Sequence, residues 1–315
     1  FWEGLTIHIL ILGGTRFTGR ATVELLVKHG HEVTVISRNS NIPESASSSV
    51  ISNRKDGLKQ IKGQAFDATV DFICSGEQDV EDVYKNIHPG LYVLISTVWL
   101  AKREGDKSKF PSLSEITERY LNAKKSAEQA VAYKRQQGYT ATSLRLPIQS
   151  GVNDHTRRLL FYLDRIADKS GLILVNGGVN RFQIVNNVDV ALALTKALSS
   201  NILASSAVWD AMPDSDITIK HLIGAMTGKD HIHTYDISSD RLAELLPEYL
   251  EQEPFWQEYP LKRLDHNLFH ASGVVPREIE EWVPALWELT GSLKDSALRC
   301  KELAIINDLK KNMTE

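Results

Sequence analysis

Residues 7–19 read IHILILGGTRFTG, and this stretch decides the fold. Ile7 to Leu12 is a short apolar run of the length a buried strand takes, and it stops at Gly13-Gly14. Ala21, Val23, Leu25, Leu26 and Val27 then recur at helical spacing, closed by Gly30 as a C-cap. Glycines between a strand and a helix allow a tight turn and let backbone N–H groups approach a pyrophosphate at the helix N-terminus. The candidate cofactor-binding residues here are Gly13, Gly14, Thr15, Arg16, Phe17 and Gly19. Arg16 stands where a G-x-x-G-x-x-G pattern has its middle glycine.

Outward from this turn the alternation repeats. HEVTVIS (31–37), ATVDFI (68–73), LYVLIS (91–96) and Thr142–Leu146 read as strands, with helices over about 79–87 and 113–137. The Ser-rich stretch 40–49 reads as a surface loop. Strands alternating with helices predict an α/β fold: a Rossmann-like, doubly wound parallel sheet covered on both faces. After residue 147 longer helices and aromatic-rich loops take over, including Trp209, Trp256, Trp282 and Trp287. The expected organisation is a dinucleotide-binding domain over 1–147 plus about 184–210, and a smaller, mostly helical C-terminal substrate lobe over 148–183 and 211–315.

Composition narrows the class. The 315 residues are 42% apolar and 24% charged, the proportions of a soluble globular protein with a core of its own. A net charge of −4 gives no global attraction to nucleic acid or anionic membrane. Cys74 and Cys300 offer neither a disulfide framework nor paired-cysteine metal spacing, so no metal is expected and the compartment reads as reducing. No apolar stretch near the N-terminus approaches the ~20 residues of a bilayer span, and the expected location is the cytoplasm.

Two further signals carry chemistry. A carboxylate at the end of the second strand would bind the ribose 2′-hydroxyl of NAD; here that strand ends Ser37-Arg38, a hydroxyl and a cation suited to a 2′-phosphate, so NADP(H) is favoured over NAD(H). Tyr120 and Lys124 stand at i, i+4 on a helix and share a face. An ammonium beside a phenol stabilises the phenolate, which suits Tyr120 to acid/base work near neutral pH. The pair follows Thr97, at the end of the Leu91–Ser96 strand, by 23 residues. His266 and His270 have the spacing of two ligands on one helix face, but HNLFH lacks the glutamate of a zinc hydrolase and reads as a packing pair. His231-Ile-His233 reads as one solvent-facing edge of a strand.

Taken together these residues resemble the short-chain dehydrogenase/reductase superfamily, in its extended and atypical branch of NAD-dependent epimerases and dehydratases. The loop GGTRFTG is similar to that of the chloroplast stem-loop RNA-binding proteins and their bacterial relatives. The likeness runs through VDFICSG (70–76), YVLISTVW (92–99), RYLNAKKSAEQAV (119–131), SLRLPIQSG (143–151), RFQIVNNVDVALA (181–193), AVWDAMP (207–213) and DHNLFHASGVVPREIEEWV (265–283).

The resemblance implies Tyr120 as the catalytic acid/base, Lys124 on the nicotinamide ribose and Thr97 on the substrate oxygen. It places Gly13, Arg16, Phe17 and Gly19 at the pyrophosphate and Ser37 and Arg38 at the 2′-phosphate. Asp56 falls near the adenine, Cys74 and Ser75 along the cofactor channel, and Pro147 and Ile148 beside the nicotinamide. Trp99, Arg157 and Gln183 fall on the substrate side. Trp99 either shapes an apolar pocket or belongs to the core, and Arg157 or Arg158 either binds an anionic group or is an ordinary exposed charge. Nucleotide-sugar enzymes of the branch carry Asn where Pro147 stands, so a sugar diphosphate is not indicated.

The expected activity is hydride transfer to or from a small carbonyl or alcohol substrate. Epimerisation or dehydration through transient oxidation is the alternative, and a cofactor-sensing or RNA-binding scaffold is the non-catalytic one. Expected partners are a small-molecule substrate and a second copy of the chain, with no membrane and no nucleic acid.

Overall fold

A computed structural model describes residues 5–100, 115–228, 232–255, 264–290 and 296–312. It divides into two compact units. The first comprises Phe1–Gln149, Val185–Pro213 and Leu261–Pro276; the second comprises Ser150–Ile184, Asp214–Pro260 and Arg277–Glu315.

The first unit is built on a seven-stranded sheet. Its strands are β1 (His8–Leu12), β2 (Glu32–Ser37), β3 (Ser48–Ile51), β4 (Ala65–Asp71), β5 (His88–Thr97), β6 (Ala141–Leu146) and β7 (Val208–Asp210). They lie in the order β7-β6-β5-β4-β1-β2-β3, and every pairing is parallel. The two-residue period of a strand sorts the apolar side chains onto two faces. Ile9 and Ile11, Val33 and Val35, Val70 and Val93 point one way, where Val23 and Leu26 of α1 (Phe17–Lys28) and Val190 and Leu194 of the helix Asn187–Ser199 cover them. Leu10, Leu12, Ile36, Tyr92 and Leu94 point the other way. They meet Leu58 of α2 (Arg54–Gln60), Val80 and Val83 of α3 (Glu77–Asn86), and Ala127 and Val131 of α4 (Glu115–Gln136). Each fully buried Ile, Leu or Val of this kind contributes about 1.5–3 kcal/mol of transfer free energy.

The chain leaves β1 through α1 to β2 on one side, while β4 pairs with β1 on the other. The strand order thus reverses beside β1, and in open α/β sheets the crevice outside the strand C-termini at such a point is where ligands bind.

Two segments differ from the sequence expectation. The Ser-rich stretch 40–49 runs into β3, whose residues are mostly exposed; an edge strand with little to bury shows no apolar alternation. Trp209, inside the stretch 184–210 assigned above to the dinucleotide-binding domain, is buried on β7 and donates from Nε1 to the Leu203 carbonyl at 3.1 Å. Leu261–Pro276, placed above in the substrate lobe, belongs to the first unit. The cause is Asp210: it is fully buried, pairs with Asn267 in a lone β-bridge, and accepts from Asn267 Nδ2 at 2.6 Å and from the Leu264 amide at 2.7 Å. Trp256 and His231 lie outside the described residues.

The second unit has a separate core. The parallel pair Leu172–Val175 and Thr234–Ile237 packs Ile173, Val175, Tyr235 and Ile237 against Leu242, Tyr249, Leu298 and Ile306. The C-terminal helix Ala297–Asn312 docks on this unit through Leu298 and Ile306, and through a buried ion network. Glu302 accepts from Arg165 Nε at 3.0 Å and from Arg299 Nη1 at 2.7 Å; Arg299 also grips Asp168 at 2.7 and 2.8 Å. Among the described residues, no helix is long and apolar enough to cross a membrane.

Candidate active site

The loop after β1 closes tightly. Gly13 has φ +93°, and a Cβ there would sit 2.5 Å from Ile73 Cγ2; a Cβ on Gly19 would sit 2.5 Å from the Gly13 carbonyl oxygen. Only glycine fits either place, one on conformation and both on space. Arg16 occupies the N-cap of α1 in an extended conformation (φ −139°, ψ 151°), is exposed and makes no side-chain cap hydrogen bond. Any residue adopts that backbone, which is why an arginine is tolerated at the position of a middle glycine. Phe17, at φ +47°, is held in the left-handed region that side chains other than glycine seldom enter.

Ser37 and Arg38 end β2 in different environments. The Ser37 hydroxyl is buried, lies 3.1 Å from Thr15 Oγ1 and accepts the Asn39 amide at 3.1 Å. It ties the loop to the neighbouring strand. Arg38 is exposed. Asp56 is exposed in the first turn of α2, where hydrogen bonds from Asn53 and then Lys59 hold its carboxyl below the usual aspartate pKa. Its amide is capped by Asn53 Oδ1 at 2.9 Å.

The opposite wall of the crevice is the segment after β4. Phe72 donates from its amide to Leu12 O at 3.0 Å, which brings Phe72 and Ile73 against Gly13. Cys74 is buried, and burial pushes its thiol up to about 11. Ser75 donates from both its amide and its hydroxyl to Asp79 Oδ2, each at 2.7 Å.

Lys124 comes to this wall from α4. It is 7% exposed, and its Nζ donates to Cys74 O at 2.9 Å and to Ile95 O at 2.8 Å. An ammonium has three N–H donors, so one remains. Nζ lies 6.0 Å from the centroid of the Tyr120 ring, and Tyr120 is 47% exposed. Burial pulls the Lys124 pKa below the usual lysine value, opposed by Cys74 and Asp71. Thr97 ends β5 and is buried; its Oγ1 accepts the Trp99 amide at 3.3 Å, which leaves the hydroxyl proton to donate elsewhere. Trp99 is half-buried, and Pro147 and Ile148 are buried just past β6.

Two buried networks beneath this crevice have no counterpart in the sequence reading. Arg54, the first residue of α2, reaches Asp71 Oδ2 at 2.6 Å with Nη2, and the same nitrogen donates to Asp79 O at 2.7 Å. Tyr92 donates to Asp71 Oδ2 at 2.8 Å. In the second network Glu128 accepts from Ser96 Oγ at 2.5 Å and from Arg145 Nε and Nη2 at 3.0 and 2.7 Å. Glu128 follows Lys124 by four residues, so the helical period alone places it under the Tyr120–Lys124 face. Nothing local to Asp71 announces Arg54, which is 17 residues away in sequence.

In the second unit, Arg157 is exposed at φ +54°, and Arg158 donates to Thr156 Oγ1 at 3.0 Å. Both line a cavity of about 330 Å³ together with Thr156, Phe161, Arg165 and Gln252. Gln183 is buried between Phe182 and Ile184.

A parallel sheet with a glycine turn at the switch point and a helix-borne Tyr/Lys pair defines a Rossmann-type protein. Residues 9–89 match the sequence profile of the NAD dependent epimerase/dehydratase family. No curated protein matches the chain. Among solved structures, UDP-glucose 4-epimerase from Thermotoga maritima is similar with a TM-score of 0.60 at 15% identity, over 90% of this chain and 98% of that one. An epimerase from Methanothermobacter thermautotrophicus has a TM-score of 0.62 at 12% identity, over 91% and 94%. The NDP-hexosamine 5,6-dehydratase TunA of tunicamycin biosynthesis has a TM-score of 0.60 at 15% identity, over 92% and 100%. At these identities the likeness is one of fold.

Proposed function

We propose that this chain is a nicotinamide-dependent enzyme of the short-chain dehydrogenase/reductase type, acting on a small carbonyl or alcohol with Tyr120 as acid/base. The observation that carries the proposal is the seating of Lys124: a buried ammonium, fixed by two backbone carbonyls at the strand C-termini, with one donor left and the Tyr120 ring beside it.

The residues present fit a dinucleotide. Gly13 and Gly19 let the turn after β1 close tightly on itself and on Ile73, and the N-terminus of α1, with its free backbone N–H groups, follows directly. When bound, the cofactor supplies the hydride acceptor or donor. This chain's residues do the rest: Lys124 holds a hydroxyl with its remaining proton, Tyr120 exchanges a proton with the substrate oxygen, and Thr97 donates to that oxygen. Within the second unit, Arg157 and Arg158 line a cavity and are the candidates there to bind an anionic group. The preference for NADP(H) rests on Arg38.

A second reading has equal support, because the similar structures include epimerases and a dehydratase: transient oxidation and return of hydride to the same substrate. Titration with NADPH and with NADH, followed by nicotinamide fluorescence, tests the shared core of both readings. Binding of either supports a nicotinamide site, binding of neither overturns both readings, and hydride exchange with a carbonyl substrate separates an enzyme from a cofactor-sensing scaffold. With a substrate in hand, net change of reduced nicotinamide marks an oxidoreductase; isomerised or dehydrated product without it marks the second reading.

A further inference from the structure

Lys124 does not hold its own position. One of its two acceptors, Cys74 O, belongs to the segment between β4 and α3, whose Phe72 and Cys74 side chains pack on the two apolar clusters flanking the sheet. Two carboxylates fix its main chain. Asp71, fully buried at the end of β4, accepts the Ile73 amide at 3.2 Å. Asp79, in the first turn of α3, accepts the Ser75 amide and hydroxyl at 2.7 Å. Cys74 is thus bracketed by an amide bonded to each acid. What joins the two acids is a single guanidinium: Arg54 meets Asp71 Oδ2 at 2.6 Å, Asp79 O at 2.7 Å and Asp79 Oδ1 at 3.3 Å.

We propose that Arg54, the first residue of α2, is the positioning residue that sets the Cys74 carbonyl and through it the Lys124 ammonium. Both short contacts come from one nitrogen, Nη2, at the tip of the side chain, and a lysine ammonium falls one bond short of that place. Arg54→Lys therefore keeps the charge facing Asp71 and removes the bridge. The groups acting on Lys124 are Cys74, Asp71, Arg54 and Asp79, with Tyr120 on its own helix. The charge of each is unchanged by Arg54→Lys, so a change at Lys124 reports the lost carbonyl.

The experiment is an NMR titration of lysine side-chain Cε and Nζ signals, with Lys124→Arg identifying the Lys124 resonance, alongside nicotinamide fluorescence. In Arg54→Lys the Lys124 ammonium is expected to titrate about one pH unit lower than in the parent, the size of one hydrogen bond to a charged group. Affinity for the reduced nicotinamide cofactor is expected to fall about tenfold. A Lys124 midpoint or an affinity that stays at the parent value overturns the proposal. Should Arg54→Lys not fold, Arg54→Gln carries the test: losing the cation alone raises the Lys124 midpoint, so a downward shift reports the lost carbonyl and its absence is equally decisive. The affinity arm rests on the function proposed above, while the titration arm does not. A parent protein that binds no nicotinamide dinucleotide refutes that function and leaves the Lys124 midpoint to decide the role of Arg54.

Discussion

Thr15 Oγ1 and Ser37 Oγ lie 3.1 Å apart, and this contact laces the glycine turn after β1 to the end of β2. The Ser37 hydroxyl also accepts the Asn39 amide and is buried, so its work is to hold the loop. Its neighbour Arg38 is exposed and has no such duty. The two residues read together in the sequence as a 2′-phosphate site therefore separate into different roles. Ser37→Ala is expected to weaken NADPH and NADH alike. Arg38→Ala is expected to weaken NADPH about 10- to 100-fold and leave NADH unchanged, the value of a charge-assisted bond to phosphate. Parallel fluorescence titrations of the two variants check both.

Tyr120→Phe removes the proton donor without touching the Lys124 contacts. Turnover is expected to fall by about 10²- to 10⁴-fold with cofactor affinity nearly intact. Lys124→Met behaves differently, because it strips Cys74 O and Ile95 O of their shared donor in a buried place. It is expected to lower both cofactor affinity and the unfolding free energy, the latter by about 1–3 kcal/mol per orphaned carbonyl. Chemical denaturation beside the binding titration separates the two.

Cys74 gives a pH dependence with a definite sign. Burial raises its thiol from 9.0 to about 11 in the folded chain. Between those values the unfolded chain loses a proton that the folded chain keeps, so the folded state loses stability as pH climbs from about 9 to 11. Two pKa units correspond to about 2–3 kcal/mol at the upper end. Cys74→Ala is expected to remove this alkaline decline in denaturation curves. In the native protein a thiol reagent is expected to modify exposed Cys300 quickly and Cys74 only on unfolding.

Glu302 is fully buried between Arg165 and Arg299. Glu302→Ala leaves buried Arg165 without its carboxylate and Arg299 with Asp168 alone, and is expected to cost about 3–5 kcal/mol. Calorimetry shows whether the loss reaches that size. Arg165→Met combined with Glu302→Leu is expected to recover part of it, since an apolar pair of similar volume removes the burial penalty of the charges.

What the sequence disclosed follows from periodicity. β1, β2, β4, β5 and β6 are rich in apolar residues on both faces because both faces of each are covered, with small buried hydroxyls such as Thr34, Thr69 and Thr142 between them, and their helices carry the matching stripe. The glycine turn and the Tyr120–Lys124 pair are equally local, one a run of seven residues and the other a single helical turn. β3 was hidden because an exposed edge strand needs no apolar code. The Arg54–Asp71–Asp79 bridge was hidden for another reason: a polar network is written in three unrelated places along the chain, and only folding brings them together. Leu261–Pro276 rejoins the first unit through Asn267, a residue whose type says nothing of its distant partner Asp210.

That rejoining has a consequence for the chain as a thread. The first unit is assembled from three separate lengths of polypeptide and the second from another three, so the chain passes from one to the other five times. No single cut yields either unit whole. Neither can have been appended to the other end to end, and neither can be lent to a different protein as a cassette. A protease that nicks the chain at Pro213 or Pro276 severs a length that belongs to the far side of the break, and a ribosome finishing the first 149 residues has released a sheet still lacking its outermost strand.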